Sequence, residues 1–233
     1  MNNNGLKIGD RRPIPARDFQ LSKKIASWLA GSGLTANSIS ILGMIAGVLA
    51  GLSIASTSFY REYFAALYFA GALLIFLRLL ANMFDGMVAV IHNRPNPLGE
   101  MFNDVPDRVS DAAILIGCGY SINSSPEAGY WAALFAVMTA YIRAVGKACG
   151  APQNFAGPMA KQQRMFLCIA ACLLCAIVPT LLVMNSSFAA DGNGAQSIMA
   201  PVLWLIAAGS ALTCIRRLWG INSAIKQTFK SSN

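Results

Sequence analysis

The sequence predicts an all-α, polytopic membrane protein: a six-transmembrane-helix bundle preceded by an N-terminal amphipathic helix lying in the membrane interface. Three observations predict it. Hydrophobic residues make up 55% of the 233 and charged residues only 12%, with mean hydropathy +0.51, more apolar surface than a water-soluble domain of this length can hide. The apolar residues gather into runs near 38–56, 63–91, 105–123, 128–149, 163–185 and 197–217, and about 20 residues of helix cross a hydrocarbon core. Basic residues then alternate between connections. The N-terminal arm holds Lys7, Arg11, Arg12, Arg17, Lys23 and Lys24, the fourth-to-fifth region holds Arg143, Lys147, Lys161 and Arg164, and the tail holds Arg216, Arg217, Lys226 and Lys230, whereas the connections near 57–62, 120–127 and 186–196 hold only Arg61. This positive-inside pattern places both termini and the 92–104 connection in the cytoplasm, as in a bacterial inner membrane.

Taken in order, residues 1–34 read as a cytoplasmic and interfacial arm, 35–220 as one membrane domain and 221–233 as a cytoplasmic tail. The arm carries charges with Pro13 and Pro15 where a cleavable signal peptide would need an apolar core. Residues 20–32 put Leu21, Ile25, Trp28 and Leu29 on one side of a helix, suited to lying along a membrane. Thr35-Ala36-Asn37-Ser38 supplies cap side chains for the first spanning helix, and Gly43, Gly47 and Gly51 recur every fourth residue along it, leaving a groove for another helix backbone. The six cysteines fall inside or at the ends of the helices and read as reduced packing residues. The 186–196 connection is the most loop-like stretch, and no internal repeat or second domain is evident. A net charge of +8 would suggest nucleic acid in a soluble protein. Its placement on cytoplasmic connections assigns it to anionic membrane lipids, with no nucleic-acid partner.

Chemistry concentrates in one stretch. Carboxylates are costly at membrane depth, yet five of the ten acidic residues lie between 85 and 111: Asp85, Glu100, Asp104, Asp107 and Asp111. On the second helix Asn82, Asp85, Gly86 and Ala89 occupy adjacent turns; on the third Asn103, Asp107 and Asp111 are each four apart and share a stripe. His92 to Pro97 contains two prolines and turns the chain back, setting the two oxygen-bearing faces opposite each other. Such a set suits Mg²⁺ or Mn²⁺, and through it a phosphate-bearing substrate; the bland alternative is a polar clasp that fixes helix register. Arg143, Lys147, Lys161 and Arg164 serve either an acceptor phosphate or ordinary membrane anchoring. Arg78, well inside the second helix, should face the bundle and pair with a polar partner. His92 reads as a head-group-level residue, with Asp107 the better base.

The run Asn82-Met-Phe-Asp-Gly-Met-Val-Ala-Val90, followed by Gly99-Glu-Met-Phe-Asn-Asp-Val-Pro-Asp107, resembles the D-x-x-D-G-x-x-A-R, spacer, G-x-x-x-D-x-x-x-D signature of the CDP-alcohol phosphotransferase (phosphatidyltransferase) family. Thr35-Ala36-Asn37 and Ser40 also resemble that family's start of the first helix. The resemblance implies a six-helix membrane enzyme of phospholipid biosynthesis. It implies a CDP-linked donor, CDP-diacylglycerol or a relative, a small alcohol or sugar-alcohol phosphate acceptor, release of CMP, and pairing as a homodimer. Carried over, Asn82, Asp85, Asn103 and Asp107 stand at the metal positions, Asn82, Asp85, Gly86, Ala89 and Gly99 at the nucleotide, and Asp107 at the base. Asn82 and Asn103 replace aspartates and Val90 replaces the signature arginine, which removes two negative charges and a cation; Asp104, Asp111 and Arg94 are the candidates to compensate. Two other classes follow from the departures: a silent CDP-lipid-binding homologue, or a small transporter.

Overall fold

The computed structural model describes residues 17, 19–92, 98–152, 157–182, 184–185 and 195–231. Seven α-helices account for nearly all of them: α1 Gln20–Gly31, α2 Ala36–Ala55, α3 Phe64–His92, α4 Gly99–Gly119, α5 Pro126–Ala148, α6 Lys161–Ile177 and α7 Met199–Ser231. A two-residue antiparallel ladder, β1 Met184–Asn185 against β2 Ala195–Gln196, ties the ends of the α6–α7 connection. Arg94, the outer arm and residues 186–194 lie outside the described residues.

Four of these helical stretches, Ala36–Ser58, Arg61–His92, Pro126–Ala148 and Met199–Gln227, are long and apolar enough to cross a membrane, and the protein is an integral membrane protein. The expected third and fifth spans fall short of that measure, each for a local reason. Helix α4 starts at Gly99, six residues before the apolar run at 105, because its first turns carry the polar and acidic residues. Helix α6 stops at Ile177 instead of running to 185: Val178 is extended (φ −119°, ψ 84°) ahead of Pro179, as a residue preceding proline prefers. Helix α7 instead continues past 217 to Ser231.

Local capping and small residues explain how the site is assembled. Thr35 is extended, and its hydroxyl accepts from the Ser38 amide at 3.2 Å, so α2 begins with one of its orphan amides satisfied. The glycine stripe of α2 then seats α3 and α4. A Cβ at Gly43 would stand 2.9 Å from the Ala81 Cβ, and one at Gly47 2.5 Å from the Ser110 Cβ. The stripe is therefore used within the chain, where it draws the helix bearing Asp85 and the helix bearing Asp107 onto one partner. Helix α5 packs between α4 and α7, and α6 lies against α3. Ile75, Leu115, Met165, Leu203 and Ile206 fill the centre, and all six cysteines are free thiols, only Cys149 exposed.

Candidate active site

Arg78, Asn82 and Asp85 lie at i, i+4 and i+7 on α3, so they share a face, and that face meets Asp107, Ser110 and Asp111 of α4. Asp85 is buried and accepts a 2.7 Å hydrogen bond from the Ser40 hydroxyl of α2. Asn82 Nδ2 donates to both Asp107 oxygens, at 3.1 and 3.3 Å. Arg78 donates from Nη2 to Asp107 Oδ1 at 2.6 Å and from Nε to Ser110 Oγ at 2.7 Å, and its Nη2 also stands 3.2 Å from Asp111 Oδ1. A cavity of about 10 Å³ remains between Ser40, Gly43, Met44, Arg78, Asn82, Asp85 and Asp107, about the space of one water-sized sphere. Among the described residues no three His, Cys, Asp or Glu side chains converge as a metal cluster. Two carboxylates and an amide around a one-ion gap nonetheless have the hard-oxygen chemistry and the size that fit a single Mg²⁺-class cation.

Three basic side chains reach α4 from the far side and pair with it in sequence. Arg143 of α5 stands 3.1 Å from Asp104, Lys161 at the head of α6 stands 2.5 Å from Asp107 Oδ2, and Arg164 one turn on stands 3.7 Å from Asp111. Asp104, Asp107 and Asp111 are spaced three and four apart, so they face one way, and the three cations form a ladder along them. Arg164 is anchored further: its Nη1 donates to the Met159 carbonyl at 2.9 Å and lies 3.5 Å from the Thr139 hydroxyl.

On the other side of α3 a groove of about 310 Å³ runs between α1 and the end of α3, lined by Arg17, Lys23, Ala26, Ser27, Gly86, Met87, Val90 and Ile91. Arg17 lies over Gly86: a Cβ there would come 3.1 Å from its Nη2. Gly86 directly follows Asp85, so the groove and the small cavity are one residue apart on α3.

Of the expected site residues, the fold brings Asn82, Asp85 and Asp107 together. Asn103 stands exposed one turn before Asp107 and does not line the cavity. Asp104 is occupied by Arg143 and, at 3.5 Å, Arg108, and Asp111 by Arg78 and Arg164. Gly86 lines the groove, Ala89 is half-buried beside it in sequence, Gly99 opens α4, and Lys147 is exposed one turn beyond Arg143. Three participants were not assigned to the site from sequence. Ser40 and Arg78 carried a signal, a hydroxyl on an apolar helix and a cation seven residues before Asp85; Arg17 carried none beyond its charge.

No family model matches the sequence. A phosphatidylinositol phosphate synthase of Mycobacteroides abscessus is 21% identical over 211 residues, covering 88% of this chain and 85% of that protein. The crystal structure of the Mycobacterium tuberculosis phosphatidylinositol phosphate synthase with CDP-DAG bound superposes with a TM-score of 0.65 at 22% identity, over 87% of this chain and 94% of that one. The same enzyme in complex with manganese and citrate gives a TM-score of 0.66 at 22% identity, over 85% and 88%. The chain has the fold of these phosphatidylinositol phosphate synthase structures.

Proposed function

We propose that this protein is a membrane CDP-alcohol phosphatidyltransferase of phospholipid biosynthesis. It moves the phosphatidyl group of a CDP-linked donor, CDP-diacylglycerol or a relative, onto the hydroxyl of a small alcohol or sugar-alcohol phosphate and releases CMP. One observation carries the reading: Asp85 and Asp107, from two helices seated on one glycine stripe, meet Asn82 around a gap the size of a single ion, in the fold of a synthase solved with CDP-DAG. In this reading α2 to α7 all cross the bilayer, both termini are cytoplasmic, and α1 lies in the interface with Leu21 and Trp28 toward lipid.

Each residue then has a task. Asn82, Asp85 and Asp107, with Asn103 one turn away, hold one divalent cation, Mg²⁺ or Mn²⁺; manganese in a structure of the same fold supports this. When bound, it neutralises charge on the donor diphosphate. Ser40 fixes the Asp85 carboxylate. Gly86, Ala89 and Gly99 leave room for the nucleotide, and Arg17, with Lys23, supplies beside Gly86 the cation that Val90 lacks. The acceptor oxygen bonds to the phosphorus carrying the diacylglycerol, the bond from that phosphorus to the CMP oxygen breaks, and the hydroxyl proton passes to Asp107. Arg143, Lys147 and Lys161 receive a phosphate on the acceptor, while Arg164, held by Asp111 and the Met159 carbonyl, shapes the wall behind them.

The decisive experiment incubates purified protein with CDP-diacylglycerol, Mg²⁺ or Mn²⁺ and a panel of alcohols and polyol phosphates, and reads CMP and new lipids by mass spectrometry. The expected result is metal-dependent CMP release matched by one dominant phospholipid. Absence of CMP release with every acceptor overturns the transferase reading and leaves CDP-lipid binding without turnover.

A further inference from the structure

We infer that Thr213 of α7 is a positioning residue of this site: with Gly157 it clamps the turn that launches α6, and so sets where the head of that helix, Lys161 to Arg164, stands over α4. The inference rests on the transferase reading for its consequence and on geometry for its content.

The head of α6 has no side-chain cap. Ala160 precedes it in extended backbone (φ −76°, ψ 166°) and offers no oxygen to the orphan amides, so the helix start is located by the turn before it. That turn, 157–160, is seated on α7 at three points. Gly157 has φ +139°, a backbone that favours glycine, and a Cβ there would overlap the Thr213 side chain. The Met159 amide donates to the Thr213 hydroxyl at 3.1 Å, and that hydroxyl donates on to the Gly209 carbonyl at 2.8 Å. Gly209 is bare where Met159 lies, since a Cβ there would stand 3.1 Å from the Met159 Cβ.

From Met159 the path continues into the site. Its carbonyl accepts from Arg164 Nη1 at 2.9 Å, and Arg164 Nη2 stands 3.7 Å from Asp111 Oδ2. The Gly209 carbonyl, Thr213 hydroxyl, Met159 backbone, Arg164 guanidinium and Asp111 carboxylate thus form one buried line from α7 through α6 to α4. Thr213 and Arg164 are 0% and 1% exposed, so water does not replace a partner that is removed, and the group left behind keeps its desolvation cost. Without the Thr213 hydroxyl the Met159 amide has no acceptor, and the turn must shift to find one. Packing of α6 against α3 does not supply the same constraint, because apolar contact is non-directional. Arg17 and Gly86, assigned to the donor, lie on the other side of α3, so a displaced α6 head is felt by the acceptor alone.

The test compares Thr213→Val with Thr213→Ser in the purified full chain in detergent. Hydrogen exchange read by mass spectrometry reports on the clamp without turnover. In Thr213→Val, peptides covering 157–164 exchange about tenfold faster while those of α2 keep the parent rate, and Thr213→Ser stays close to the parent. Steady-state kinetics then reads the positioning, with CDP-diacylglycerol and the panel acceptor, glycerol 3-phosphate among them, that the parent consumes fastest. Thr213→Val raises the acceptor KM about tenfold with donor KM and kcat little changed, as for a contact weakened equally in ground and transition states, and Thr213→Ser restores it. Thr213→Ala, which removes the same hydroxyl without filling its place, decides if the valine variant does not fold. Unchanged exchange in 157–164 overturns the clamp. Faster exchange with both KM values at the parent level, or with both raised equally, makes Thr213 a stabilising residue only and overturns the positioning role. A parent that releases no CMP with any acceptor removes the transferase reading, and the positioning role with it, while the exchange rates still decide the clamp.

Discussion

Asp104 and Asp111 lie two turns apart on the same face of α4, and each meets two arginines: Asp104 has Arg143 at 3.1 Å and Arg108 at 3.5 Å, Asp111 has Arg78 at 3.2 Å and Arg164 at 3.7 Å. Counted as ion pairs they are alike. Their side chains differ in exposure, 32% for Asp104 against 2% for Asp111, and that difference sets what each can do. At the deep end a carboxylate is held among guanidiniums with little water to screen it, and removing it strands the buried Arg164 and leaves Arg78 with Asp107 alone. At the open end water and salt screen the pair. Asp107 lies between them at 13% side-chain exposure, held by Arg78, Lys161 and Asn82. Chemistry belongs at that intermediate depth, where a carboxylate is both oriented and reachable.

The largest effect is expected at the deep end. Asp111→Ala leaves Arg164 without its carboxylate and Arg78 with Asp107 alone, a loss of about 3–5 kcal/mol for a broken buried pair, read as a large drop in the melting temperature of the detergent-solubilised protein. A variant that melts with the parent would end the distinction between the two ends of the stripe. Asp107→Asn comes next: CMP release falls at least about hundredfold, within the range for a lost general base, while the melting temperature falls less than in Asp111→Ala because Arg78 keeps Ser110 and Asp111. Undiminished turnover would take the base assignment from Asp107.

Much of this was legible in the sequence, for reasons that also mark where legibility stopped. Helices α2, α3 and α5 begin and end within two residues of their apolar runs, because a bilayer-length hydrophobic segment bounded by Thr35, by Ser125 and Pro126, or by the turn after His92 leaves little choice. The polar faces at 82–85 and 103–111 follow from spacing alone. What spacing does not carry is which partner each charge meets across the bundle. Lys161 is 54 residues from Asp107, Arg17 is 69 from Gly86, and their meetings depend on how α1 and α6 dock. The same limit applies to Asn103. Its place on the stripe with Asp107 is correct by periodicity, but the stripe turns outward at the start of α4, before it meets α3. Hydropathy also misplaced the start of α4, since the residues that make the site are those that lower its apolar average.

A third test moves to the other side of α3. Arg17→Gln should raise the donor KM about tenfold, about 1.4 kcal/mol, with kcat little changed, because a contact made equally in ground and transition states affects binding alone. Gly86→Ala should do the same, since the new methyl meets Arg17, and the double variant should cost little more than either single one. Additive losses would show that Arg17 and Gly86 act separately.

The smallest effect is expected at the open end, and it is the sharpest check on the comparison. Asp104→Asn breaks the pairs with Arg143 and Arg108, yet exposed pairs contribute about 0–1 kcal/mol because ordering two long side chains offsets most of a screened attraction. The melting temperature should therefore fall by a degree or two at low salt, and the difference should shrink as ionic strength rises and the screening length shortens. Asp111→Ala should keep its deficit in salt, since its partners are buried. If Asp104→Asn proved as damaging as Asp111→Ala and equally insensitive to salt, depth along α4 would not be what separates structural carboxylates from the reactive one.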